Sequence, residues 1–264
     1  MNRQDIIHQI RQKQTCLCVG LDSDIQKIPA HLKSGKDALL TFNRHIIDAT
    51  KELCVAYKIN TAFYECLGPA GWEIMQETLQ YIPDEHFVIA DAKRGDIGNT
   101  SAMYARAFFE TMDFDAVTVS PYMGSDSIQP FLEFKNKFTI ILALTSNAGS
   151  ADFEQLRTDD GFVYERVLKT TSGWGSTDSI MYVAGATKAS ALADIRRIVP
   201  EHFFLIPGVG AQGGSLDEVL QYGAIKGETG LLVNSSRQVI YASQGEDFAE
   251  KAAEEARKFV GKIA

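Results

Sequence analysis

The sequence is poor in cysteine and has no long apolar run. Four cysteines occur in 264 residues, Cys16, Cys18, Cys54 and Cys66, and none sits in a CxxC pair. Paired zinc or redox spacing is therefore absent, and the thiols read as small buried groups in a reducing compartment. No segment approaches the ~18 apolar residues that a membrane span needs. The opening MNRQDIIHQIRQKQ is amphipathic and charged, without the apolar segment of a secretory signal. These readings predict a cytoplasmic protein. Positive charge is in deficit: 34 acidic against 26 basic residues give a formal net charge of -8. A field of that sign opposes nucleic acid and anionic membrane, so neither is an expected partner, although basic groups gathered locally still suit an anion. Low-complexity tracts and Pro/Gly/Ser linkers are missing too. Nothing divides the chain, and 1–264 reads as one domain.

What is present is a repeated alternation. Short β-rich runs recur at LCVGLD (17–22), VAYKIN (55–60), FVIADAK (87–93), AVTVSP (116–121), TIILAL (139–144), IMYVAGA (180–186), FFLIPGVG (203–210) and LLVNSS (231–236). Stretches with helical spacing separate them, such as Leu39, Phe42, Ile46, Ile47 and Leu53 before the second run. Phe248, Ala252, Ala256 and Phe259 fall on one face of a final helix. Strands alternating with helices pair in parallel. Eight such units in about 250 residues predict an α/β fold, the (β/α)8 TIM barrel, over an open doubly wound sheet. The longest connection, 145–179, carries a helical pattern at Phe162, Val163, Val167 and Leu168 and reads as a local elaboration.

In such barrels the active site lies at the C-terminal ends of the strands. The polar residues collect there: Asp22 after the first run, Lys58 and Asn60 in the second, Asp91, Lys93 and Asp96 at the third. Thr145, Ser146 and Asn147 follow the fifth, and Asn234, Ser235, Ser236 and Arg237 close the eighth. Side chains in a strand alternate between faces, so Asp91 and Lys93 share a face with Phe87 and Ile89. An acid and an amine side by side are either an inert ion pair or chemistry. Two lysines and three aspartates at one end of one barrel favour a tuned charge network. The glycines of GVGAQGG (208–214) formally match a dinucleotide fingerprint, but that motif belongs to the first unit of a doubly wound domain, and here only one strand remains. Free backbone N–H groups in such a turn also cradle phosphate, and barrels often place a phosphate site after strands seven and eight. Taken singly, the turn and Arg237 read equally as a tight turn and a surface arginine. Together, on adjacent strands, they favour phosphate.

DAKRGDIGNT (91–100) resembles the D-x-K-x-x-D motif of the orotidine 5'-phosphate decarboxylase family, whose reaction is the last step of de novo UMP synthesis. CVGLDSD (18–24), AYKIN (56–60), LTSNAGS (144–150), PGVGAQGG (207–214) and NSSR (234–237) fall in that family's order. VAGAT (183–187) carries one alanine more than the family's VGAT, and KINTAFYE (58–65) is similar to the longer bacterial subgroup. The resemblance implies an enzyme without cofactor or metal. Lys93 would protonate C6 of the pyrimidine as carbon dioxide leaves, with Asp91 beside it. Lys58 and Asp22 would bind ribose hydroxyls. Asp96 and Thr100 would reach into a neighbouring subunit's site, making the active form a homodimer. Ser146 would hydrogen-bond the pyrimidine, and Gln212, Gly213, Gly214 and Arg237 would hold the 5'-phosphate. Magnesium-dependent sugar-phosphate decarboxylases and hexulose-phosphate synthases share the motif. They resemble one another in carrying a glutamate near the end of strand two, where this chain has Lys58. Such an enzyme, an aldolase among them, and a non-catalytic phosphometabolite-binding barrel are the alternatives.

Overall fold

Eight parallel strands close on themselves. In the computed structural model, which describes residues 1–35, 37–185, 189–209 and 215–263, they are β1 (Leu17–Gly20), β2 (Ala56–Asn60), β3 (Phe87–Arg94), β4 (Ala116–Val119), β5 (Phe138–Leu144), β6 (Ile180–Ala184), β7 (Phe203–Pro207) and β8 (Leu231–Ser235). Each pairs with its neighbours in chain order, and β8 returns to β1 with Cys18 opposite Asn234 and Val19 opposite Ser235. The helices Ala38–Thr50, Pro69–Tyr81, Gly98–Arg106, Ser125–Leu132, Val163–Thr171, Ala189–Ile198, Leu216–Gly223 and Phe248–Arg257 follow the strands in turn. This is the TIM barrel that the alternation predicts, and ring closure rules out the open sheet.

The period of two in each strand divides the apolar residues between two cores. One face, with Val19, Tyr57, Val88, Val117, Ile141, Tyr182, Phe204 and Val233, packs against the helices. The other forms the barrel interior, where Phe87, Ile89, Phe138, Ile140, Met181, Phe203 and Leu205 meet. Phe87 and Phe138 contact edge to face, with ring centroids 5.5 Å apart. A barrel interior needs a floor, and the amphipathic opening supplies it. Asn2 and Asp5 cap the helix Arg3–Lys13 reciprocally, and its Ile6, Ile7 and Ile10 join the interior cluster. The Met1 ammonium bonds Asp115 at 2.5 Å and Arg3 bonds Glu228 at 2.6 Å, which pins the plug.

Several local readings need correction. The strand ends are shorter than the apolar runs: β1 stops at Gly20, β4 at Val119 and β7 at Pro207. Phe162 lies outside the helix Val163–Thr171. It belongs to a two-stranded antiparallel ribbon, Arg157–Thr158 with Gly161–Phe162, inside the elaboration after β5. Cys16, Cys18 and Cys54 are buried free thiols as predicted, but Cys66 is exposed, just past the short helix Ala62–Glu65 that follows β2. No helix among the described residues is long and apolar enough to cross a membrane.

Candidate active site

The alternation that builds the apolar interior continues upward into polar residues. Above Ala56 stand Lys58 and Asn60; above Phe87 and Ile89 stand Asp91 and Lys93; above Leu232 stands Asn234. All belong to the C-terminal ends of their strands. At the seam between β1 and β8 the mouth is tight. A Cβ at Gly20 would lie 1.9 Å from Ser236 Oγ and 3.0 Å from Asn234 Oδ1, so only glycine lets β8 present these groups.

Beyond Gly20 the chain turns through Asp22, and this turn is clamped from behind. The Tyr241 hydroxyl donates to the Asp22 carbonyl at 3.0 Å and accepts from the Asp24 N–H at 2.7 Å. Tyr64 donates to the Leu21 carbonyl at 3.1 Å, and Ser23 donates to Asn43 at 2.6 Å. The Asp22 carboxylate then meets Lys58, whose Nζ donates to Asp22 Oδ1 at 3.1 Å and to Asp91 Oδ2 at 3.0 Å. Lys93 Nζ bonds the other oxygen, Asp91 Oδ1, at 2.6 Å. The charges thus alternate in space: Asp22, Lys58, Asp91, Lys93. Burial alone would neutralise such groups. For Lys58, buried at 4% exposure, burial disfavours the ammonium, but the Asp91 and Asp22 carboxylates outweigh it and raise the pKa above the usual lysine value. For Asp91, burial again disfavours charge, and the Lys58 and Lys93 ammoniums overcome it and hold the carboxyl well below its ordinary range.

Lys93 differs from Lys58 in environment. Its side chain is 50% exposed, so its head stands in the open mouth. Its backbone has φ +47°, the left-handed region that L residues rarely adopt and that costs roughly 1–3 kcal/mol. The cause is a bulge. Ala90 pairs with Val117 and Arg94 with Val119, so Asp91, Ala92 and Lys93 face the single residue Thr118. Thr118 Oγ1 donates to Asp91 Oδ1 at 3.0 Å and accepts from the Lys93 N–H at 2.9 Å. Arg94 leaves the mouth altogether. It pairs with Glu65, and its guanidinium lies 5.4 Å from the ring centroids of Tyr104 and Phe108.

Two adjoining compartments open over this network. One, of about 170 Å³, is bounded by Asp22, Asn60, Gly208, Ser236 and Arg237. The other, of about 230 Å³, is bounded by Lys93, Leu142, Thr145, Ser146, Asn147 and Val183. Lys58, Asp91, Pro207 and Asn234 border both. Ser146 is held there through its neighbour: Glu154 accepts from the Thr145 N–H at 2.7 Å and from the Thr145 hydroxyl at 2.9 Å. Asp22, Lys58, Asp91, Lys93, Ser146 and Arg237 therefore share one mouth. Asp96 and Thr100 do not join it within this chain: Asp96 accepts from the Ile97 N–H at 2.8 Å, and Thr100 is exposed. Gln212, Gly213 and Gly214 lie outside the described residues. Thr118 is the member of the network that the sequence does not nominate. The alternation in AVTVSP places it on the face of Ala116, the same signal that singles out Asp91, but a threonine in a strand attracts no notice.

Residues 15–252 match the model of the "Orotidine 5'-phosphate decarboxylase / HUMPS family". The orotidine 5'-phosphate decarboxylase of Flavobacterium johnsoniae is 58% identical over 261 residues, covering 98% of this chain and 95% of that protein. That of Christiangramia forsetii is 55% identical over 267 residues, covering 100% of this chain and 98% of its own. Among solved structures, Leishmania donovani OMP decarboxylase matches with a TM-score of 0.83 at 35% identity, over 98% of each chain.

The depressed Asp91 carboxyl makes stability depend on acid. Its contribution is complete above the ordinary value of 3.8 and is lost as pH falls through the lower, folded value. Urea midpoints of the wild type should therefore drop more steeply between about pH 4 and pH 2 than those of Asp91→Asn, which lacks the titrating group. Equal slopes would contradict the ion network.

Proposed function

We propose that this chain, which belongs to the orotidine 5'-phosphate decarboxylase / HUMPS family, converts orotidine 5'-phosphate to UMP and carbon dioxide. One observation carries the reading. The half-exposed Lys93 side chain stands in the same mouth as Arg237, and the two compartments that they border share Lys58, Asp91, Pro207 and Asn234. The 5'-phosphate goes to the compartment of Ser236 and Arg237, where a guanidinium gives a bidentate grip. The pyrimidine goes to the compartment of Ser146 and Lys93, and the ribose lies between them, against Asp22 and Lys58.

Breaking the bond from C6 to the carboxylate releases carbon dioxide and leaves the electron pair on C6. Lys93 Nζ gives its proton to that carbon and recovers one from solvent. The carbanion has no conventional electron sink, so fixed charge must stabilise it. At about 4 Å and an effective dielectric near 20, one such interaction is worth about 4 kcal/mol. A single lysine is thus a part of the effect, and the phosphate grip supplies remote binding energy for orientation. Lys58 also bears on the magnesium alternative. It stands between the two carboxylates, where a divalent cation would lie against an ammonium.

The active unit is a homodimer in this reading. Ile97, Met103, Tyr122, Met123, Phe153 and Leu156 are exposed apolar side chains, and Tyr122 and Phe153 touch edge to face with centroids 6.3 Å apart. A second copy of the chain that covers this face takes Asp96 and Thr100, the neighbours of Ile97 and Met103, into the joint.

Lys93→Ala should lower kcat by about 10²–10⁴-fold with unchanged circular dichroism, followed by ultraviolet loss of orotidine 5'-phosphate. EDTA should leave the wild type fully active. Retention of a tenth of the wild-type kcat removes Lys93 as proton donor, and loss of activity in EDTA favours the magnesium-dependent alternative. Mixing inactive Asp96→Ala and Lys93→Ala subunits should restore activity through hybrid dimers. No recovery despite proven subunit exchange would place the whole site within one chain.

A further inference from the structure

Lys93 is held by little of its own. Its side chain is half exposed, and among the described residues its ammonium makes one hydrogen bond, to Asp91 Oδ1 at 2.6 Å. Packing does not aim it, so the backbone must. That backbone is strained and bulged, and the bulge takes the Lys93 N–H out of the regular ladder between β3 and β4. Out of the ladder, that part-buried N–H needs another acceptor. Thr118 Oγ1 is the acceptor, at 2.9 Å.

The direction of this relay is forced. A backbone N–H only donates, so the Thr118 oxygen accepts there. An ionised carboxylate only accepts, so the Thr118 proton goes to Asp91 Oδ1 at 3.0 Å. One hydroxyl thus fixes the main chain that carries the ammonium and the carboxylate that the ammonium touches. Thr118 itself is fully buried on β4, paired with Ile140 of β5, and offers no surface to a ligand. Its rigid seat in the wall makes it a fixed reference for two groups that lie on a distorted strand.

We propose that Thr118 is a positioning residue for the decarboxylation: its hydroxyl sets Lys93 and Asp91 in the one relative geometry from which the C6 proton is delivered. The assignment rests on the decarboxylase reading above and goes beyond it, because Thr118 touches no part of the substrate. A threonine that merely fills the wall would be replaced without loss by valine, which has the same shape. A threonine that acts through its hydroxyl would be replaced by serine.

The test compares wild type, Thr118→Val and Thr118→Ser in steady-state turnover of orotidine 5'-phosphate, together with the ligand-free crystal structure of Thr118→Val. Thr118→Val should lower kcat by about 10- to 100-fold while KM changes by less than about 3-fold, and Thr118→Ser should return kcat to within a few-fold of wild type. In the Thr118→Val crystal, Lys93 should leave the left-handed region or its contact with Asp91 should break. Wild-type kcat in Thr118→Val, or an equal loss in Thr118→Ser, overturns the proposal. So does an unchanged Lys93 torsion with an unchanged Asp91 contact. If the wild type consumes no orotidine 5'-phosphate, the decarboxylase reading fails, and the crystal structure still decides whether Thr118 positions Lys93.

Discussion

A buried ammonium flanked by two carboxylates organises this mouth. Removing an ammonium from water costs several kcal/mol, and one carboxylate rarely returns that much. Lys58 has two, Asp22 and Asp91, at 3.1 and 3.0 Å. Asp91 is in turn held by two ammoniums, Lys58 and Lys93. A carboxylate left without its partner in such a place is destabilising by about 3–5 kcal/mol. The network therefore holds Asp91 ionised and oriented before any ligand arrives, and Asp91 in turn offers its other oxygen, already bonded by Thr118, to Lys93. Two lysines of the same chemistry have separate places: one is locked below the surface, the other is presented at it.

The barrel makes this possible through its walls. Residues from the neighbouring strands β2, β3 and β4 converge on the Asp91 carboxylate, and Asp22, just past β1, joins them through Lys58. The interior beneath them, from Phe87 to Phe138 and Ile10, is apolar and closed by the N-terminal helix. Water reaches the charges from one side only, and the low dielectric below strengthens their mutual attraction. The bulge in β3 then spends backbone strain to lift Lys93 out of that layer. Strain of this kind persists where the surroundings over-determine it, and here Thr118 and Asp91 do so.

Much of this was legible in the chain. Period-two alternation placed Asp91 and Lys93 above Phe87 and Ile89, and strand-end polarity placed Asp22, Lys58, Ser146 and Arg237 at the same mouth. Both are properties of local pattern, and closure keeps local pattern intact. The bulge was not legible, because three residues facing one is a relation between strands that are far apart in sequence. Thr118 stayed hidden for that reason: its role exists only where the ladder is broken. Arg94 and Asp96 belong to the same conspicuous run of charges, yet the structure sends Arg94 to Glu65 and an aromatic pair, and leaves Asp96 beside Ile97. Charge density in the sequence does not say which face a residue takes beyond a bulge. The floor helix was visible as amphipathic, but its partner face is assembled from several strands at once, so its place as a plug emerges only with closure.

In the proposed function, the Lys93 ammonium and Arg237 serve one ligand from opposite ends of one mouth. A crystal structure with UMP bound tests it most directly. C6 of the uracil should lie within about 3.5 Å of Lys93 Nζ and the phosphate on the Arg237 guanidinium. A nucleotide bound with its base turned away from Lys93, or with its phosphate remote from Arg237, would contradict it.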